Sequence, residues 1–349
     1  MIVYLIILTL LIGLAFLGRA TMSAWWDWIG IAVLIIFAGT RFEMGADYMS
    51  YEAIYAGKYT PGQVESGFLA IQNFLGGIHV PFEAFTLIWA TVSLVLYCVF
   101  VRQYFRPAII PIAYYFARFY FLRDMGQIRA AMVCTICMLS ISLIIKKKPI
   151  LFAVVVLLAS LIHISALFFL LAYPFYIIFK NINLKWACIL LGAAFLAGTV
   201  STKILAVVVV RVLPRYAPYV TNPAYVGGSL FSPVTLMHVM ICIAGFYVLE
   251  HLDISPAFIR DKEVFRLLLT LYLLAALTLL GLARLSTISG RLSTIYSTLE
   301  TILVPTIVYS MLPKYARTIC AVAAVGFIFV LIFIVGGIYH QYIPYQSFL

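Results

Sequence analysis

With 349 residues, 65% of them hydrophobic and 10% charged, the chain has a mean hydropathy of +1.11 and a net charge of +11. A soluble domain carries about 25% charged residues, so a chain this apolar exposes surface that only lipid can cover, which excludes a soluble enzyme. The basic residues stand singly between apolar runs, which excludes nucleic acid as partner and points instead to topology, membrane lipid and lipid phosphates.

Lipid admits only helices and closed barrels. The apolar runs here are continuous rather than alternating, as in LFAVVVLLAS at 151–160. The fold is therefore read as all-α, a polytopic helical integral membrane protein forming a single transmembrane domain over 1–349. In chain order the runs predict spans near 2–18, 25–40, 82–101, 107–122, 126–145, 186–209, 233–250, 264–283, 292–312 and 318–339. The first run has neither a basic leader nor a small-residue cleavage site and is read as a span.

The stretch 149–179 is different, because 31 residues separate the Lys146-Lys147-Lys148 cluster from Lys180. One straight helix of that length would reach about 46 Å, too long for a hydrocarbon core of about 30 Å. Two short or re-entrant helices, 149–161 and 165–179, are expected instead, bending near His163. The chain then crosses the membrane about 11–12 times.

The loop 41–81 is taken as external. It is long enough for short helices, one in QVESGFLAIQNFLGG, and a second external loop at 211–232 is rich in Pro and Gly. On this orientation the cytoplasmic face carries seven lysines and six arginines, and the external face eight arginines and two lysines. Lysine as a retention charge explains the first set. The second set works against that bias and calls for an anionic partner. Guanidinium grips phosphate bidentately at any relevant pH, so a diphosphate between membrane and water is the natural ligand.

The residues able to do chemistry form four groups. RFEMGADYMSYEAIY supplies Arg41, Asp47, Tyr48, Tyr51 and Glu52 with Gly45 for a turn, although Arg41 also suits an interfacial anchor and Asp47 a helix N-cap. RFYFLRDMGQIRAAM packs Arg118, Arg123, Asp124, Gln127 and Arg129 together, as either a functional set or an internal salt bridge of Asp124. His163 with Ser165 marks the expected helix break, or a structural hydrogen bonder. Arg211, Arg215, Arg284 and Arg291 close the set, with Glu300 about 13.5 Å beyond Arg291 on a continuous helix, as either a functional group or a protonated or paired packing residue. The residues from 41–81, 118–129, 163, 211–232 and 284–296 are expected to line one external cavity. Cys134 and Cys137 form a CxxC inside a span and read as packing residues, and no metal-ligand cluster is seen.

This ordered set resembles the EpsG family of exopolysaccharide and O-antigen polymerases, the Wzy-like membrane proteins of bacteria. The resemblance rests on RFEMGADYMSY, ESGF at 65–68, QIRAAM, LIHISAL, RLSTIY and the terminal IPY at 343–345. It implies location in the bacterial cytoplasmic (inner) membrane and transfer of a glycan from an undecaprenyl diphosphate carrier onto a lipid-linked oligosaccharide repeat unit. It implies no nucleotide sugar, cofactor or metal, and a chain-length regulator of the polysaccharide co-polymerase type as partner. On this reading Arg129 and Arg291 hold the donor diphosphate, helped by Arg123, Arg211, Arg215 and Arg284. Asp47, Glu65 or His163 is the base, and Arg41, Tyr48, Tyr51, Gln127 and Tyr296 complete the substrate-binding set. The alternatives are another lipid-linked glycosyl transferase, such as an O-antigen ligase, and a transporter or flippase of an anionic glycolipid. A repeat-built transporter would show internal symmetry, which this sequence lacks.

Overall fold

A computed structural model of the chain describes residues 1–212, Asn222 and residues 227–348, the side chains of 200–210 and 212 excepted. It is 73% helix, and no strand occurs among the described residues. Six helices are long and apolar enough to cross a membrane, and several shorter apolar helices join them, so the protein is a multi-pass membrane protein. The helices assemble into two compact units.

Unit 1 comprises residues 1–167, 255–260 and 312–349. Its first two helices are α1 (Ile2–Thr21) and α2 (Trp25–Gly39), joined by a turn in which Met22 adopts the left-handed conformation at φ 52°. The loop after α2 carries two short helices, α3 (Tyr48–Tyr55) and α4 (Ser66–Gly77), in the region expected to hold them. Pro81 at the N-cap starts α5 (Phe82–Arg102), where its missing N–H costs no helical hydrogen bond. Then follow α6 (Ile109–Tyr115), which widens into a π-helical turn over Phe116–Tyr120, and α7 (Ile128–Ile145). The pair is closed by α8 (Pro149–Ser160), which begins with Pro149 directly after the lysine cluster. Near the other end of the chain lies α15 (Arg317–Phe329), continued by a second π turn over Val330–Val335.

Polar side chains pin these apolar helices at their ends. Asp27 of α2 accepts the backbone N–H of Ile109 at 2.8 Å and pairs with Arg102 of α5 at 3.6 Å, so one carboxylate joins three helices. The fully buried Asp124 accepts from Ser93 at 2.9 Å and from the Tyr115 hydroxyl at 2.5 Å. The terminal segment returns to the loop after α2. Phe42 N–H donates to the Gln346 carbonyl at 3.0 Å, Phe348 N–H donates to Thr40 at 3.1 Å, and Arg41 and Ser347 form an isolated antiparallel bridge. Tyr345 donates to the Phe37 carbonyl at 3.0 Å and Tyr342 to that of Phe121, which straps this end of the bundle.

Unit 2 comprises residues 168–254 and 261–311. It contains α9 (Ala172–Phe179), α10 (Leu184–Val212), α11 (Pro233–His251), α12 (Lys262–Gly281), α13 (Ser286–Ser297) and α14 (Glu300–Met311). Two starts follow ordinary capping chemistry. Ser232 accepts the Thr235 N–H at 3.1 Å before α11, and Asp261 accepts the Val264 N–H at 2.8 Å before α12.

The expected break in 149–179 is present. The helix α8 stops at Ser160, His163 stands in the turn, and the chain resumes as a 3₁₀ helix over Ile164–Leu171 before α9. The late span read as one helix over 292–312 is different: it divides into α13 and α14 at Thr298–Leu299. The reason is polar. Ser289, Ser293, Ser297 and Thr298 supply hydroxyls that bond backbone carbonyls, and Glu300 begins the next helix.

Candidate functional site

Beneath the loop helices of unit 1 lies an aromatic floor. Tyr48, Tyr51, Phe68, Phe82, Phe85, Trp89, Ile128 and Met132 are all buried together. The floor draws on α3, α4, α5 and α7, and Trp89 fixes the register by donating its indole N–H to the Ile128 carbonyl at 2.9 Å. Such large rings bury much area at little rotamer cost, so a short loop helix can be held rigidly against a longer one.

On this floor α4 meets the turn after α8. A helix start leaves N–H groups without partners, and a helix end leaves carbonyls without partners. Here each satisfies the other: the N–H groups of Gly67 and Phe68 donate to the Leu161 carbonyl at 2.8 and 3.2 Å. The approach needs a glycine, because a Cβ on Gly67 would stand 2.8 Å from both the Leu161 Cβ and its carbonyl oxygen. Gly67→Ala is therefore expected to separate α4 from the turn. Faster hydrogen exchange at the Phe68 amide, by about tenfold or more, would report it; unchanged protection would refute this account of the docking.

Glu65, the residue before α4, completes the junction. Its Oε1 lies 2.8 Å from His163 Nδ1 and accepts the Ile164 N–H at 3.1 Å, while its Oε2 pairs with Arg129 of α7. The Arg129 guanidinium also lies over the rings of Tyr51 and Phe68, at 5.6 and 5.4 Å. Burial alone would raise the Glu65 carboxyl. The His163 hydrogen bond, the Arg129 charge and the Ile164 N–H together outweigh it and hold the group at about 2. Side-chain exposures of 18% for Glu65 and Arg129 and 22% for His163 leave the cluster reachable from outside the protein.

The geometry fixes the histidine's roles. A carboxylate can only accept, so Nδ1 carries the proton and Nε2 of the neutral ring keeps a lone pair. An acid, an arginine 64 residues on and a histidine 98 residues on in sequence thus form one constellation. It can take a proton at Nε2 beside a fixed positive charge.

The remaining candidates of unit 1 occupy other settings. Arg41 is 1% exposed, with its Nη1 donating to the Ala38 carbonyl and its guanidinium 5.8 Å from the Tyr48 ring. Tyr48 and Tyr51 turn their rings into the floor. Arg118 and Arg123 are both buried against the Phe119 ring, at 4.8 and 4.1 Å from its centroid. Asp47 occupies the N-cap position of α3 without a side-chain capping bond, and Gln127 the N-cap position of α7. Gly45, at φ +98°, lets this loop pass so close to Met125 that a Cβ would stand 2.2 Å from its carbonyl oxygen.

In unit 2, Arg284 and Arg291 are exposed at the turn before α13 and on that helix, and Arg211 is exposed near the end of α10. Tyr296 is buried, donates to the Phe168 carbonyl at 2.8 Å and packs on Phe168 and Phe169. Arg215 lies outside the described residues.

One group in unit 2 gives Glu300, named in the sequence reading, partners that the reading did not name. His238 of α11, fully buried, contacts Ser297 at 2.8 Å, Glu300 at 3.4 Å and the ring of Tyr272. A histidine inside an apolar span is itself a signal, since polar groups at membrane depth need partners.

Against known proteins, the model of the EpsG family matches residues 24–347. Neither a curated protein nor a solved structure matches the chain.

Proposed function

Because the chain belongs to the EpsG family, we propose that it is a polysaccharide polymerase of the bacterial cytoplasmic membrane. It transfers a growing glycan from an undecaprenyl diphosphate carrier onto a lipid-linked oligosaccharide repeat unit at the outer face, with a chain-length regulator as partner. The observation that carries this reading, beyond membership, is the Glu65–His163–Arg129 cluster: a base, its orienting carboxylate and a cation at a break in the membrane helices.

In the proposed step the acceptor hydroxyl gives its proton to His163 Nε2. Its oxygen forms the new bond to the anomeric carbon of the donor as the bond from that carbon to the diphosphate oxygen breaks. The diphosphate leaves with the electron pair and needs charge stabilisation more than a proton, which suits arginine. Arg129 is assigned to it, and in unit 2 Arg291, Arg284 and Arg211 are the groups able to bind the same anionic chemistry. Glu65 is assigned to orientation rather than to the proton transfer, because a carboxyl held at about 2 is too weak a base for a hydroxyl. Arg41, Tyr48 and Tyr51 support the site from behind, consistent with their burial.

The test is extension of a purified lipid-linked repeat unit by the protein in nanodiscs. A ladder of products lengthening by whole repeats is expected. Transfer of one glycan to a different acceptor would indicate a ligase, and movement of the lipid without new bonds a flippase; either would overturn the reading. In this assay Arg129→Lys, which keeps the charge and loses the planar fork, is expected to lower the rate by about tenfold or more. Full activity in that variant would remove Arg129 from the diphosphate site.

A further inference from the structure

The division between α13 and α14 is spanned by one side chain. Ser297 is the last residue of α13 and Glu300 the first of α14. The Nε2 of His238 lies 2.8 Å from Ser297 Oγ and 3.4 Å from Glu300 Oε2, so a histidine of a neighbouring helix touches both lips of the break. Tyr272 of α12 stacks on the imidazole at 5.2 Å with an interplanar angle of 10°, and its hydroxyl donates to Glu300 at 3.3 Å. His238 and Glu300 are 0% exposed. Four helices of unit 2 therefore meet on a single polar knot.

Hydrogen-bond geometry places one ring proton and shows where a second would go. Nδ1 of His238 lies 2.8 Å from the Val234 carbonyl, which can only accept, so Nδ1 carries a proton. The Ser297 hydroxyl sends its proton to the Ser293 carbonyl at 2.9 Å. A second proton, on Nε2, would let the ring donate to both Ser297 Oγ and Glu300 Oε2, which stand 2.8 and 3.4 Å away. The other groups around the knot are the Tyr272 hydroxyl, the Cys242 thiol one turn along α11 and, beside Cys242, the thiol of Cys188 on α10.

We propose that the His238–Glu300 ion pair is an electrostatic staple that holds the break between α13 and α14, and so positions the arginine helix α13 for its anionic ligand. The assignment of that ligand as the donor diphosphate rests on the function proposed above; the staple does not. The break matters because α13 carries Arg291 two turns before Ser297. An α13 continuous with α14 would point along one axis, whereas a stapled break fixes α13 independently of the span that follows. His238 is a positioning residue, remote in sequence from the groups it orders.

Three measurements test this, and two of them need no enzymatic activity. In protein labelled with ¹⁵N-histidine, both ring nitrogens of His238 are expected to be protonated at pH 7.5. A neutral ring with one protonated nitrogen would overturn the ion pair. Spin labels at the exposed positions 290 and 311 flank the break within unit 2. Their distance distribution is expected to be narrow in the native protein and broad in both His238→Gln and Glu300→Gln. It should narrow again in the double variant, where two neutral amides can bond each other. Broadening in the double variant equal to that of either single variant would show that the residues only fill space. In the extension assay, His238→Gln is expected to raise KM for the donor about tenfold with kcat within about twofold, and the double variant to recover most of that loss. A fall in kcat with unchanged KM would refute positioning of the arginine helix. Absence of any extension activity from the native protein would count against the proposed function and leave the first two measurements to decide the staple.

Discussion

Replacing His163 by glutamine is expected to lower glycan extension by about 10²–10⁴-fold while the protein still inserts and binds donor lipid. The amide can still donate to Glu65, so the junction between α4 and the turn after α8 should hold, but it offers no lone pair of useful basicity where Nε2 stood. The loss should therefore fall on kcat, with KM for the donor little changed. A variant with native kcat would show that the proton leaves by another route, with Asp47 the next candidate.

Glu65→Gln should be nearly as damaging, for a reason specific to its three partners. The carboxylate serves Arg129 with one oxygen, and His163 and the Ile164 N–H with the other. An amide has one oxygen. Turned toward His163, it places its NH₂ against a guanidinium. Turned toward Arg129, it presents a donor to Nδ1, which must then accept, and the ring proton moves to Nε2, where the base is needed. Extension is expected to fall by about 10²-fold or more. Stability should change as well. Because the folded group titrates at about 2 instead of 4.5, it stabilises the folded state at neutral pH by about 3 kcal/mol, as an order of magnitude. A depressed carboxyl contributes fully above its ordinary range and loses that contribution as pH falls through 4.5 toward 2. The stability gap between native protein and variant should therefore be full at pH 7 and shrink across that acid window. A gap unchanged with pH would mean that shape, not charge, carries the Glu65 contribution.

The extent to which the sequence revealed this arrangement differs by feature. Spans were legible because apolar runs of about 20 residues have no other use. The break near His163 was legible from length alone, since the stretch is too long to be one crossing and carries a polar residue at its middle. The division at Thr298–Leu299 was masked because the apolar ILVPTIVYSM run follows the hydroxyl-rich segment without a gap in helix-forming residues. Individual members of the cluster could be named, Arg129 and His163 because each stands where a charged or polar group is costly, and Glu65 through the resemblance carried by ESGF. Their partnership could not, because the residues lie 64 and 98 positions apart and only packing of α4 on the aromatic floor brings them together. The same holds for His238, whose neighbours in sequence are apolar and whose contacts lie on three other helices.

The strap formed by the terminal segment has a consequence for biogenesis. Thr40 and Tyr345 bond across 305 positions of sequence, so the loop behind α2 leaves the ribosome long before its pairing partner exists. Through most of translation the backbone of Thr40 and Phe42 must be satisfied by water or lipid headgroups, and Arg41 must wait for the Tyr342 side of its enclosure. The floor that bears the Glu65 cluster can assemble as soon as α8 has emerged. The support behind Arg41 can close only after α15 has threaded. Synthesis order thus separates two stages in the maturation of unit 1: an early one that builds the turn bearing His163, and a late one that seals the loop after α2.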